Sequence, residues 1–123
     1  MPHSSDYHDP RRANGHRRRL LFNRVLKEES TCWLCGNPVN KELRGIYVYD
    51  QKSKKMHLHP DSPSLDEIVP VSQGGDPLDR NNVRLAHLRC NEQRGDENAD
   101  SYRHRQHIYE SKQAERIRHS RNW

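Results

Sequence analysis

The sequence predicts a small α+β domain stapled by a metal ion, and three observations carry that prediction. First, only 30% of the 123 residues are hydrophobic and mean hydropathy is −1.31. That is too little apolar surface for a large core, so a staple is needed. Second, two short pairs of soft ligands, Cys32/Cys35 and His87/Cys90, lie far apart in the chain with the same internal spacing. Third, residues 65–95, LDEIVPVSQGGDPLDRNNVRLAHLRCNEQRG, alternate in the manner of strand, turn, strand and helix.

A chain of this length holds one domain with tails. Residues 1–14 read as a disordered basic arm, 15–100 as the metal-braced domain, and 101–123 as a basic helix or tail. Within the domain, Leu20, Leu21, Val25 and Leu26 stand near helical spacing, which predicts a helix over 17–29 that ends around Ser30. Residues 32–38, Cys-Trp-Leu-Cys-Gly-Asn-Pro, form a tight turn whose Gly and Pro reverse the chain and put both sulfurs on one side. Residues 45–49 and 56–59 flank a lysine-rich stretch and read as a β-hairpin or an exposed loop. A short strand follows over 65–71, where Pro70 ends it, bends it or keeps it at an edge. Gly74 and Gly75 turn the chain, 76–82 form a loop, 83–86 return as a strand, and a helix begins near Cys90. The segment 101–123 has six Lys/Arg against two acids and few apolar groups, as expected of a partly helical tail held weakly or ordered on a polyanion.

The net charge of +5 and pI near 9.3 favour a polyanionic partner, nucleic acid first among them. No apolar segment resembles a signal peptide or a membrane span. A reducing cytoplasm is then the default compartment, where paired cysteines hold metal more often than each other. Three cysteines cannot all pair, but His87 stands three residues before Cys90 and completes a four-ligand set of the kind that zinc takes in closed tetrahedral sites. The rival reading is a redox Cys-x-x-Cys, which needs a strand–helix context of the thioredoxin type. A turn follows Cys35 instead, so a structural zinc on Cys32, Cys35, His87 and Cys90 is the expectation.

At Asp66-Glu67, Asn82 and the run Cys90-Asn91-Glu92-Gln93-Arg94-Gly95, the chain resembles the HNH endonucleases. Their active site is a ββα-metal (His-Me finger) hairpin and helix, and many members carry a separate zinc on knuckles. The resemblance covers residues 32–95 and is most like small phage and prophage members. It implies that Asp66 and Asn91 bind a catalytic Mg²⁺ or Mn²⁺, whose hard-oxygen preference they suit. It also implies that Asn82 bridges the hairpin to orient residue 67, that Arg94 approaches the phosphate backbone, and that the helix from Cys90 aims its N-terminus at the phosphates. Arg17, Arg18, Arg103 and Arg105 are the further basic residues expected on nucleic acid. By the same resemblance the protein acts on DNA in the cytoplasm of a bacterial host, with a phage terminase as a partner; oligomeric state is left open.

The departure lies at Glu67, which stands where the family has its general-base histidine. Three readings compete: Glu67 acts as the base, Glu67 joins Asp66 on the metal, or another histidine, His59 being the candidate, takes over. The alternative to a metal-dependent endonuclease is a catalytically weak or inactive zinc module that binds nucleic acid.

Overall fold

The computed structural model describes residues 14–121, so the arm expected over 1–14 lies outside them except for Asn14. The first helix, α1, spans Gly15–Glu28, two residues earlier than the periodicity predicts. Val25 is fully buried, with Leu21, Phe22 and Leu26 packed around it, whereas Leu20 is exposed. The chain then turns through the knuckle. Cys32 N–H donates to the Asn37 carbonyl at 2.9 Å and Gly36 N–H to the Cys32 carbonyl at 2.7 Å, and Gly36 takes φ of +79°, which a side chain would strain.

Strands β1 (Tyr47–Asp50) and β2 (Lys55–Leu58) form an antiparallel hairpin, the first of the two forms the sequence left open. Strand β3 (Pro63–Glu67) pairs antiparallel with β4 (Val83–His87), in a register that sets Leu65 opposite Leu85 and Glu67 opposite Val83. The strand ends at Glu67, short of Pro70. Between β3 and β4 the chain makes two single turns of 3₁₀ helix, Val71–Gln73 and Arg80–Asn82. Gly75 is required here: a Cβ at that position would lie 1.7 Å from the Val69 carbonyl oxygen. Helix α2 (Leu88–Arg94) follows β4 directly and ends at Gly95, whose φ is +55°.

The final helix, α3, spans Ala99–Arg121. The partly helical tail expected there is one continuous helix. Its anchor is Tyr102, 2% exposed, whereas Ile108, Tyr109 and Ile117 are open to solvent. The core contains ten buried apolar side chains among the described residues, two of which are Cys32 and Cys90. A core of this size confirms the need for a staple that the composition predicts.

The join between α1 and β4 is ionic. Glu29 accepts from Arg80 Nη2 at 2.8 Å, Arg84 Nε at 3.0 Å and the Leu85 amide at 3.1 Å. Burial opposes ionisation of Glu29, but these donors outweigh it and hold its carboxyl below the usual range.

Candidate active site and metal clamp

β4 delivers His87 at its end, and α2 places Cys90 one turn on, facing back toward the knuckle. The ligand atoms of Cys32, Cys35, His87 and Cys90 all lie within 4.8 Å of one another. His87 Nδ1 is 3.3 Å from Cys35 Sγ and 3.8 Å from Cys90 Sγ, while its Nε2 lies 3.0 Å from the Pro38 carbonyl. With Nε2 donating to that carbonyl, Nδ1 keeps its lone pair for a metal, and the ring is locked in orientation. A hydrogen bond between the Cys32 and Cys90 thiols draws Cys32 below the ordinary thiol range and pushes Cys90 above it. Three sulfurs and an imidazole in a mostly buried cluster are the donor set of a closed structural site such as zinc. Both thiols of the Cys-x-x-Cys turn are directed into this four-residue cluster, and the turn is not followed by the helix that a thioredoxin-type redox pair needs.

A cleft of about 350 Å³ opens where β3 ends, lined by Asp66, Glu67, Pro70, Val71, Ser72, Asn91, Gly95 and Asp96. Successive residues of a strand point to opposite faces. Asp66 therefore turns toward the knuckle and α2, and Glu67 turns toward α1, and both reach the cleft at the strand's end. Asp66 is 3% exposed, and its Oδ2 accepts from Trp33 Nε1 and from Arg94 Nη1, each at 2.9 Å. Among the described residues, the hydrogen bonds and the ion pair to this carboxylate all fall on Oδ2. Burial pushes the Asp66 carboxyl above the ordinary carboxylate range; the Arg94 charge and the two hydrogen bonds counter this only in part. A divalent cation in the cleft would reverse that balance.

Glu67 is 7% exposed. Arg18 Nη2 stands 3.3 Å from its Oε1, an ion-pair distance. Asn91 Nδ2 donates to Ser64 Oγ at 2.8 Å, which fixes the amide plane on the cleft wall. Asn82 does bridge the hairpin: its Oδ1 accepts from Val69 N–H at 2.9 Å, and its Nδ2 donates to the carbonyls of Val69 (3.1 Å) and Asp76 (3.0 Å). It acts on the backbone just after Glu67, at the close approach that Gly75 permits.

Several expectations are corrected by these positions. Arg94 is buried rather than poised over a phosphate. Its guanidinium bonds Asp66 and the carbonyls of Glu67, Ile68 and Glu97 at 2.7–2.9 Å, because β3 ends with carbonyls that need donors. Arg18 is likewise turned inward, donating to the carbonyls of Pro77 and Leu65. Arg103 stacks on the Trp33 ring and donates to the Trp33 carbonyl, and Arg105 pairs with Glu97 at 2.8 Å. Both side chains stay about half exposed, so neither position overturns the expected contact with nucleic acid. Arg17 is exposed. His59 does not line the cleft. It precedes β3 at the end opposite Glu67, a strand length of roughly 13 Å away, and its Nδ1 accepts from Asp61 N–H. Helix α2 begins at Leu88, and the half that meets the cleft is its C-terminal one, through Asn91 and Gly95, so its positive end does not face that site.

The sequence reading passed over Asp96, which lines the cleft, and Trp33, which holds the cleft's Asp66 from the knuckle side. Asp96 follows a glycine after a short helix, a position with no periodic signal. Trp33 lies between two cysteines, where the ligands drew the attention.

A metal-clamped ββα unit, β3–β4–α2, flanked by an open acidic cleft defines the class of the molecule: a small metal-braced domain of nuclease type. A family model described as HNH endonuclease matches residues 32–97, more than half of the chain, and the chain belongs to that family. Nuclease-type activity on DNA is the general property of its members. No curated protein and no solved structure matches the chain significantly. No helix among the described residues is long and apolar enough to cross a membrane.

Proposed function

We propose that this protein is a metal-dependent endonuclease that hydrolyses DNA phosphodiester bonds in the cleft at the end of β3. The observation that supports this most is that Asp66 and Glu67 on β3 and Asn91 on α2, distant from them in sequence, line one cleft beside the Cys₃His clamp. The cleft fits a hard cation, since its donors are carboxylate and amide oxygens and a buried carboxylate already lies there with an open Oδ1. Asp66 and Asn91 would hold Mg²⁺ or Mn²⁺, which when bound supplies polarisation of the phosphate and neutralisation of the leaving oxygen.

Glu67 takes a proton from the water that attacks phosphorus in line with the leaving 3′ oxygen. Arg18 holds Glu67 in place from the α1 side, and Asn82 holds the backbone that follows it. Asp96 lines the same cleft and adds a third carboxylate to it. Products with 5′-phosphate and 3′-hydroxyl ends follow from the family resemblance. With Arg94 committed to the interior, contacts to the DNA backbone fall to Arg17 and other exposed basic groups, which position a duplex and carry little sequence preference. A phage or prophage origin, work beside a terminase in DNA packaging, and residence in the bacterial cytoplasm belong to this proposal on the family resemblance alone.

The test is cleavage of supercoiled plasmid with Mg²⁺ or Mn²⁺ by the wild type, Asp66→Ala, Glu67→Gln, Glu67→His and His59→Ala. Asp66→Ala should fall to background, Glu67→Gln should lose about 10²- to 10³-fold, and Glu67→His and His59→Ala should cut like wild type. Asp66→Ala cutting at the wild-type rate would refute the assigned centre. A wild type that binds DNA but cuts with neither ion would make the protein a binding module.

A further inference from the structure

The knuckle and the cleft are joined through one side chain. Trp33 sits between Cys32 and Cys35, and its amide donates to the Leu85 carbonyl on β4 at 2.9 Å. Its indole reaches across to Asp66, where Nε1 shares Oδ2 with Arg94. Three guanidinium groups surround the ring: Arg94 at 5.3 Å, Arg103 at 5.0 Å and Arg84 at 6.0 Å from the indole. At such distances cations are attracted to an aromatic face, so the indole is clamped both by the turn that carries it and by its neighbours.

We propose that Trp33 is a positioning residue for the cleft: its N–H, aimed by the metal-holding turn, pins Asp66 Oδ2 and so presents Oδ1 to the catalytic divalent ion. The proposal rests on the reading of the cleft given above. The physical case is that a carboxylate held by a single donor can rotate about its terminal torsion, which has a broad profile. Two donors on the same oxygen from different directions, one from the knuckle and one from α2, remove that freedom. The ion then finds an oriented ligand and does not have to order one. Because the indole is carried by the Cys-x-x-Cys turn, the structural clamp sets the geometry of the reactive carboxylate as well as the fold. Trp33 touches neither substrate nor the attacking water, so its contribution acts through Asp66.

The experiment measures divalent binding directly. Free Mn²⁺ is followed by electron paramagnetic resonance during titration of the zinc-loaded protein, and bound zinc is counted by mass spectrometry. The variants are Trp33→Phe and Trp33 replaced by 3-benzothienylalanine, an isosteric side chain that keeps the ring packing and removes only the N–H. Both should retain one zinc per chain and the wild-type circular dichroism. Both should bind Mn²⁺ about tenfold more weakly, the scale of one hydrogen bond to a charged group. In plasmid cleavage the Mn²⁺ concentration for half-maximal rate should rise by the same factor, while the rate at saturating Mn²⁺ stays within a few-fold of wild type. Arg103→Ala, which removes a stacked cation but no contact to Asp66, should bind Mn²⁺ as wild type does.

Unchanged Mn²⁺ affinity in the benzothienyl variant would overturn the proposal, and so would an equal loss in Arg103→Ala. If Trp33→Phe loses zinc, the benzothienyl variant still decides. The underlying reading fails separately: a wild type whose Mn²⁺ binding is unaffected by Asp66→Asn has no cation at Asp66 for Trp33 to serve.

Discussion

Cys90 and Asn91 are neighbours on α2, yet one belongs to the closed clamp and the other to the open cleft. One residue along an α-helix is a rotation of about 100°, enough to send the thiol toward the knuckle and the amide toward β3. The two centres differ in kind as well as in direction. The clamp gathers four soft donors within 4.8 Å of one another, with two of the three cysteines buried, and offers no coordination position to a substrate. The cleft is lined by the oxygen-bearing side chains of Asp66, Glu67, Asn91 and Asp96 and has about 350 Å³ of space. A site whose ligands are all protein is suited to holding a fold, whereas a site with open positions can admit water and phosphate. The difference teaches how so small a chain would support the proposed catalysis: a metal in the closed centre would supply rigidity that ten buried apolar side chains cannot, and the open centre would use it.

The largest effect that would break this comparison is loss of the clamp ion. Binding of structural zinc is worth about 10 kcal/mol or more, which matches or exceeds the whole stability of a small domain. Chelation should therefore unfold the domain cooperatively in far-ultraviolet circular dichroism. A protein that keeps its helices after complete zinc removal would show that the two centres do not divide the labour in this way.

Next in size is Arg94→Ala. It leaves buried Asp66 without its ion partner and strips donors from three carbonyls, at a cost of about 3–5 kcal/mol. Urea denaturation of the zinc-loaded protein checks this. Wild-type stability combined with weaker DNA binding would instead return Arg94 to the phosphate-facing role that the family resemblance implied. Arg17→Ala is the control, expected within about 0.5 kcal/mol of wild type because the residue is an exposed one.

The smallest effect concerns the ionic join of α1 to β4. The Glu29 carboxyl lies below its ordinary value in the folded protein, so the unfolded chain binds protons more readily. Its contribution is present above the unfolded value near pH 4.3 and is lost as the pH falls through the lower folded value. Glu29→Gln should be less stable than wild type by about 1–2 kcal/mol at pH 7, with the gap closing between roughly pH 5 and pH 3. Parallel urea midpoints for the two proteins measure it. A gap that persists at pH 3 would assign the loss to shape and not to charge.

The clamp was readable before any coordinates because its signal is spacing: two ligands three apart fit one turn, and two such turns make one tetrahedral set. Helix α1 and strands β3 and β4 were readable from periodicity and from the glycines between them. The cleft was readable only in part. Asp66, Glu67 and Asn91 carried a motif, but Asp96 and Trp33 lie outside any period, and the polar run that holds Arg94 looks like an exposed helix face. Arg94 is buried because β3 presents free carbonyls and a carboxylate to that face, a fact about another part of the chain.

By itself the sequence determined the kinds of ligand and their local spacing, the need for a staple, and the order of strand, strand and helix, because these depend on residue chemistry over a few neighbouring positions. Tertiary structure alone decided which basic groups turn inward, that His59 lies at the wrong end of β3, and that Trp33 bridges the two centres. Those outcomes follow from which distant surfaces meet, and burial of a charge or a ring is settled only by the partner that waits there.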